Sequence, residues 1–454
     1  MNRKQRRALA GAVRSDTPAS EEQRIGQAIA MQRQGQLDAA EALYRQILHR
    51  NPRQVDALHF LGVLAAQQHD NDGAATLIRR ALELNPRYAD AHNNLGNVLA
   101  AMERFGESAA AYRQAIELAP GNLGAHCNLG VMLRRSGQFE EAVAACQQAL
   151  ALDQRLPEVH LNLGKALAAL ERYEEAVAAH REAIRLRPGY ASAYKNLGML
   201  LYQLNRSEEA AELFRHWLEQ DPANPVARHL LAAHSGHGAP ARAADDYIQE
   251  LFDGMAGSFD DHLRRLEYRA PELIAQKVAT VLGTPTRFLE VLDAGCGTGL
   301  CGPLLRPYAR WLTGVDLSPR MVERARAREN YDELAVAELT AFLVARPAIY
   351  DLIVSADTLI YFGDLRPVLT AAAVALRPNG RLAFTVERGE DGETEEFMLD
   401  RSGRYRHIET YLRRELVRAG MAIETLETVD LRLEGGHPVA GFLVLACKAL
   451  VSAG

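Results

Sequence analysis

Between Val291 and Gly302 the chain reads VLDAGCGTGLCG: an apolar run, a carboxylate at Asp293, then glycines at 295, 297, 299 and 302. Glycines at that density leave bare backbone for a small molecule to lie against. Asp316 ends the next apolar run, where a carboxylate can accept hydrogen bonds from a pair of sugar hydroxyls. Taken alone, Gly297-x-Gly299-x-x-Gly302 with Asp316 satisfies a dinucleotide fingerprint. Three features point elsewhere. The glycines begin earlier, as Asp293-x-Gly295-x-Gly297-x-Gly299; Asp316 leads into LSPRMVERAR, a capped helix carrying Met321; and the chain closes on two strands too near each other for a crossover. Asp316 by itself also has the plainer reading of a helix cap.

Other groups with acid–base chemistry follow: Asp357 and Tyr361 in SADTLIY, Glu387, and His407 in SGRYRHIETYL. His407 is expected in a polar loop before a helix, where an ordinary exposed histidine is the alternative to proton transfer. Cys296 reads as a small loop residue rather than a nucleophile. The cysteines at 127, 146, 296, 301 and 447 form no Cys-x-x-Cys pair, so neither a disulfide framework nor a zinc site is indicated. His234 and His237 have no acidic or cysteine companions, and no metal site is expected.

These residues need a scaffold. β-rich runs at 288–293, 311–316, 351–355 and 381–387 alternate with helical patterns at 318–328 and 365–377, which predicts βαβ units and a mostly parallel sheet. ELAVAEL, 333–339, is a candidate third strand ending at Glu338 and Leu339, with a helix as the alternative. Runs 421–432 and 438–447 are joined by the turn-prone LEGGH and must pair antiparallel.

The first half is different. Leu-Gly recurs at 61–62, 95–96, 129–130, 163–164 and 197–198, always 34 residues apart, and prolines at 52, 86, 120, 188 and 222 keep the step. Phe105, Phe139 and Tyr173 share a third slot. This register resembles the tetratricopeptide repeat. It implies six units from about residue 20 to 223, the first with Gln27-Ala28 in place of Leu-Gly. One such unit cannot bury its apolar stripe alone, so stacking into a superhelix is required. Asn94, Asn128, Asn162 and Asn196 each precede Leu-Gly. A ladder of amides offers donors and acceptors to an extended peptide, and it resembles the asparagine ladder of O-linked N-acetylglucosamine transferases; asparagine is also common at this slot. HSGHGAPARAA, 234–244, reads as a linker between an array over 20–233 and a second domain over 245–454, and the basic stretch 1–19 as a disordered tail. A net charge of −6 gives no nucleic-acid or membrane signature, no apolar run reaches spanning length, and a reducing, cytoplasmic setting is expected.

Residues 245–450, with the tight glycine loop, Asp316 and the closing hairpin, resemble class I S-adenosylmethionine-dependent methyltransferases. They more closely resemble predicted bacterial ones that carry an amino-terminal repeat array, which share a segment like LFDGMAGSFDDHLRRLEYRAPEL before the loop and one like DLIVSADTLIYFGDL after it. The resemblance implies an all-α superhelix followed by an α/β Rossmann-like domain with a terminal antiparallel hairpin, and S-adenosylmethionine as cofactor. It implies that Gly295, Cys296, Gly297 and Gly299 carry the methionine end, that Asp293 steers its ammonium through water, and that Asp316 grips the ribose. Leu317 and Met321 would pack on adenine, and Glu338 and Leu339 would meet its amino group. The acceptor would approach Asp357, Tyr361, Glu387 and His407, with Asp357 and His407 as catalytic candidates. SADTLIY lacks the Asn-Pro-Pro-Tyr type used on exocyclic nitrogens, which disfavours nucleic-acid bases. Residues 245–275 are expected to form a helical lid, with plain domain packing as the alternative. Two readings stand: a methyltransferase acting on a small molecule or protein, with the repeats recruiting a protein partner or substrate, or an interaction scaffold whose second domain binds cofactor without turnover.

Overall fold

The structure is a computed structural model that describes residues 20–236, 239–390 and 395–449. The tail expected over 1–19, and His237 of the expected linker, lie outside them. The chain forms two compact units, one up to Leu200 and one from Leu201 onward.

The first unit is built of antiparallel helix pairs that begin at Glu21, Val55, Ala89, Leu123 and Pro157, followed by the helix Ala191–Gln203, which runs into the second unit. Each repeat glycine faces the second helix of its own pair. A Cβ added at Gly62, Gly96, Gly130 or Gly164 would come within 2.6–2.8 Å of Ile78, Tyr112, Cys146 or His180. Those four partners are themselves 34 residues apart and buried, so the period records a helix–helix contact. In the first pair Ala28 takes the glycine's slot and is still fully buried beside Tyr44.

The second unit starts with the helices Ser207–Gln220 and Pro225–Ser235, passes through Asp245–Met255, Phe259–Arg265 and Ala270–Leu282, and enters a nine-stranded sheet. Its strands are β1 (Leu289–Ala294), β2 (Ala309–Asp316), β3 (Glu333–Val336), β4 (Tyr350–Ser355), β5 (Leu376–Arg388), β6 (Phe397–Leu399), β7 (Tyr405–His407), β8 (Met421–Glu434) and β9 (His437–Lys448). The parallel order is β3-β2-β1-β4-β5; β9 runs antiparallel to β5, and β8 to β9. The short β6–β7 ribbon attaches to the end of β5 at Glu387 and Arg388. Consecutive residues serve opposite faces: Val291, Leu352, Val354 and Leu443 pack with the helix Ala270–Leu282, while Leu292, Ile353 and Val444 pack with the helices Arg366–Ala375 and Glu409–Arg418. That is the two-residue period of strands buried on both sides.

Three expectations need correction. β3 ends at Val336, and Glu338 is not its last residue but the N-cap of the helix Leu339–Val344: its carboxylate accepts from the Thr340 and Ala341 amides at 2.9 and 2.7 Å, which satisfies donors a longer strand would leave open. His407 lies not in a polar loop but in β7, fully buried. The stretch expected as a linker is held in place. His234 belongs to the helix Pro225–Ser235, Arg242 forms a β-bridge with Phe362, and the Ala241 carbonyl accepts from the Gly363 and Asp364 amides at 2.9 and 2.7 Å.

Candidate active site

The loop after β1 is fixed from both sides. The Gly295 and Cys296 amides donate to the Val315 carbonyl on β2 at 2.8 and 2.9 Å. Gly295 has φ +79°, and a Cβ there would lie 1.9 Å from the Thr358 hydroxyl, so both backbone and space demand glycine. Gly297 and Gly299 also have positive φ. The Gly297 amide donates to Asp316 Oδ2 at 2.9 Å, and the Ser318 amide to Oδ1 at 2.8 Å. Asp316 therefore ties the glycine loop to the start of the next helix. Burial pushes its carboxyl above the usual range, against the pull of those amides. The helix-cap hydrogen bond itself belongs to Ser318, whose hydroxyl accepts from the Met321 amide.

Asp293, at the end of β1, is 1% exposed. Its Oδ2 accepts from the Tyr331 hydroxyl at 2.6 Å, while Oδ1 is buried with no hydrogen-bond partner. Burial raises its carboxyl to about 7, the Tyr331 hydrogen bond opposing. A buried carboxylate oxygen left open beside bare backbone is costly unless something cationic meets it. An ammonium group would satisfy Oδ1, and the two oxygens of Asp316 suit vicinal hydroxyls. These residues therefore suit the methionine and ribose ends of S-adenosylmethionine. Of the apolar residues expected against adenine, Leu317 is half-buried and Met321 wholly buried, so Leu317 presents the more accessible surface. Glu338 is committed to its cap and to Arg242, and Leu339 is buried. Cys296 is buried too, and desolvation holds its thiol well above the usual range, the opposite of what a nucleophile requires.

The segment 245–268 reaches across this loop. Ser318 donates to Asp253 Oδ1 at 2.5 Å and Thr298 to Asp260 Oδ1 at 2.5 Å, and Arg328 pairs with the other oxygen of Asp260. Phe259 is the side chain nearest to Gly297. Phe252 packs edge-on against Phe259 and Tyr361, with centroids 5.8 and 5.5 Å apart.

At the carboxyl ends of β4, β5 and β8 lies a buried charge network. Asp357, with φ +51°, exchanges two hydrogen bonds with Thr385: its amide donates to Oγ1 at 2.9 Å, and Oγ1 donates to its Oδ1 at 2.7 Å. Its Oδ2 meets Arg432 at 2.9 Å. Arg432, 4% exposed, also binds Glu387 and Glu434, and Arg404 binds the same two glutamates at 2.6 and 2.5 Å. Tyr361 and Tyr268 interact electrostatically with Asp357 and Arg432, and burial pushes the Tyr361 hydroxyl to about 12. His407 points elsewhere. Its Nε2 lies 3.0 Å from the Gly363 carbonyl, its ring stacks on Tyr411, and burial lowers its pKa to about 4. The structure thus brings Asp293, the glycines, Asp316 and Leu317 to one place and Asp357, Tyr361 and Glu387 to another, without His407. Sequence reasoning missed Tyr331, Arg404 and Arg432. No motif flags them; Asp253 and Asp260 stood in the shared segment before the loop without a stated role.

The asparagines of the repeats are half-buried and partly engaged. Asn94 lies 2.9 Å from His59 Nε2, Asn128 donates to Asn97 at 3.2 Å, and Asn162 and Asn196 donate to carbonyls of their own helices at Glu158 and Ser192. Among the described residues no group of His, Cys, Asp and Glu is arranged to hold a metal, and no helix is long and apolar enough to cross a membrane.

Fold and site together define a methyltransferase domain joined to tetratricopeptide repeats. Residues 265–423 match the methyltransferase domain family, and the tetratricopeptide repeat family matches 25–89, 64–122, 93–157 and 161–225. The chain is similar to the malonyl-[acyl-carrier protein] O-methyltransferase of Salmonella typhimurium, with 30% identity over 138 residues, 30% of this chain and 52% of that one. It is also similar to methyltransferase-like protein 27 of Homo sapiens, with 37% identity over 108 residues, 23% and 42% of the two chains. Among solved structures, a tetratricopeptide repeat protein with an unusual peptide-binding site, YrrB, aligns with 22% identity and a TM-score of 0.37 over 41% of this chain and 96% of its own. The chain spans from 31% to 52% of the length of the first three curated relatives.

Proposed function

We propose that the second unit binds S-adenosylmethionine across the loop after β1 and methylates an acceptor that enters at the carboxyl ends of β4, β5 and β8. The observation that carries this reading is the open, buried Oδ1 of Asp293 beside the glycine loop. When bound, the cofactor supplies a methyl group on positively charged sulfur, ready for in-line displacement. The chain's own part is to align and to exclude water. Asp293 takes the ammonium, Asp316 the ribose hydroxyls, and Leu317 one face of the base. Asp253 and Asp260 pin the lid helices, and Phe252 and Phe259 keep water out. Asp357, held by Thr385 and Arg432, orients the acceptor. Tyr361, held protonated by burial, donates. From its buried position, His407 braces β7 against Gly363.

The repeats are the recruiting module. Asn162 and Asn196 each spend one of two amide N–H donors on their own helices, which leaves one donor and the amide oxygen of each for an extended peptide. Calorimetry with S-adenosylmethionine and with NAD tests the proposal: binding of the first is expected, and binding of NAD alone would end it. Mass spectrometry of cell extract after incubation with methyl-labelled cofactor then identifies the acceptor.

A further inference from the structure

Three glycines, two from the loop and one from β2, surround one aromatic ring. A Cβ at Gly299 would lie 3.1 Å from Tyr331, one at Gly302 3.0 Å from its ring and hydroxyl, and one at Gly314 3.0 Å from its other edge. Gly299 and Gly302 close the loop, and Gly314 is in β2, paired with Asp293 of β1. The ring enters this recess from the turn before β3, and its hydroxyl ends 2.6 Å from Asp293 Oδ2. The last glycine of the apparent dinucleotide fingerprint thus makes room for a tyrosine.

We propose that Tyr331 is a positioning residue for cofactor binding. Its hydroxyl occupies Oδ2 of Asp293 and turns the one remaining oxygen, Oδ1, towards the glycine loop as the receptor for the cofactor's ammonium. The inference rests on the cofactor assignment above. Asp293 interacts electrostatically with Tyr331, Asp316, Cys296, Cys301 and Tyr268. None of these is a cation, and Tyr331 is the only one of them with a hydrogen bond to its carboxylate. With a carboxyl raised to about 7, the ionised form that binds an ammonium grows as pH rises through neutrality. Tyr331 is the influence that holds the carboxyl down, so removing its hydroxyl moves the transition upward.

The test is calorimetry of S-adenosylmethionine binding to the full chain between pH 5.5 and 8, for the wild type, Y331F and D293N. The ligand's own amino group titrates identically in every case. The wild-type affinity is expected to rise across this range, and the Y331F curve to move up by roughly one pH unit, with D293N weak and without that rise. The phenylalanine keeps the ring that fills the recess, and a cooperative thermal transition verifies the fold. A Y331F curve that superimposes on the wild type, or lies below it by one constant factor, reduces Tyr331 to a space-filler and overturns the inference while the cofactor assignment stands. A D293N curve that keeps the wild-type rise overturns it from the other side. Absence of binding by the wild type removes the cofactor assignment itself.

Discussion

Asp260 and Thr298 are joined across 38 positions of sequence by a 2.5 Å hydrogen bond from hydroxyl to carboxylate, and Arg328 closes the other side of the same carboxylate. A helix before the sheet is thereby latched to the glycine loop inside it. Arg328 and Asp260 keep about a third of their side-chain surface in water, at 31% and 28%, so the latch is worth less than a buried pair; about 1 kcal/mol is a fair scale. D260A is expected to speed cofactor release roughly fivefold with little change in melting temperature. Stopped-flow release of S-adenosylmethionine measures it, and an unchanged off-rate would show that the segment does not act as a lid.

Arg432 answers three carboxylates, those of Asp357, Glu387 and Glu434, from a position 4% exposed. R432M removes the ion-pair partner of Asp357, since the salt bridges of Arg404 go to the two glutamates. Removing one member of such a network costs about 3–5 kcal/mol. Urea unfolding of the variant should show a loss of that order; a loss below about 1 kcal/mol would mean that water reaches the network.

His407 gives the fold an acid limit. Its pKa falls from an ordinary 6.5 to about 4 on burial, so the unfolded chain binds the proton more tightly than the folded one. Stability from this residue is complete above pH 6.5 and is lost as pH falls towards 4, by about 3 kcal/mol in all. His180, in the first unit, is lowered to about 4 as well, so the measurement is a difference. The pH dependence of unfolding between 4 and 6.5 should be shallower in H407Q than in the wild type, and equal slopes would contradict the buried neutral imidazole.

The unit boundary makes a prediction about truncation. His229 of the helix Pro225–Ser235 stacks on Tyr247 at 4.0 Å and its Nε2 lies 2.9 Å from the Gly403 carbonyl, while Asn205 accepts from Arg401 at 2.7 Å. Arg404, next to Gly403, belongs to the acceptor-side network. A chain starting at residue 201 should melt cooperatively and bind cofactor like the full protein. One starting at residue 236 should melt several degrees lower, because it exposes Tyr247 and frees Gly403. Calorimetric scans of the two compare them directly. Only the longer piece serves to ask whether the repeats present substrate: unchanged activity in it on every accepted acceptor would exclude that role.

The local patterns in the chain were legible for physical reasons. A 34-residue step in Leu-Gly and Pro reports a contact that every helix pair must remake, so the array was readable from spacing, down to Ala28 in the first glycine slot. β1, β2, β4 and β5 were readable because strands buried on both faces are continuous apolar runs, and the terminal hairpin because its turn leaves no room for a crossover. The glycine loop with Asp293 and Asp316 was readable because bare backbone and a carboxylate at a strand end are local features.

Tertiary structure alone decided what lies between distant residues. Periodicity did not reveal that Gly302 serves Tyr331, that Arg432 meets Asp357 from 75 positions away, or that His407 turns into the core. Glu338 was misplaced because a β-prone run and a helix cap look alike until the Thr340 and Ala341 amides are seen to need an acceptor. The Gly/Pro-rich stretch after the repeats read as a linker because composition records backbone freedom, whereas its attachment to Phe362 and Gly363 depends on a partner more than a hundred residues further on. Sequence fixes the tendencies of neighbours along the chain; which buried charge meets which is decided only when folding brings separate segments together and each desolvated group must find its counterpart.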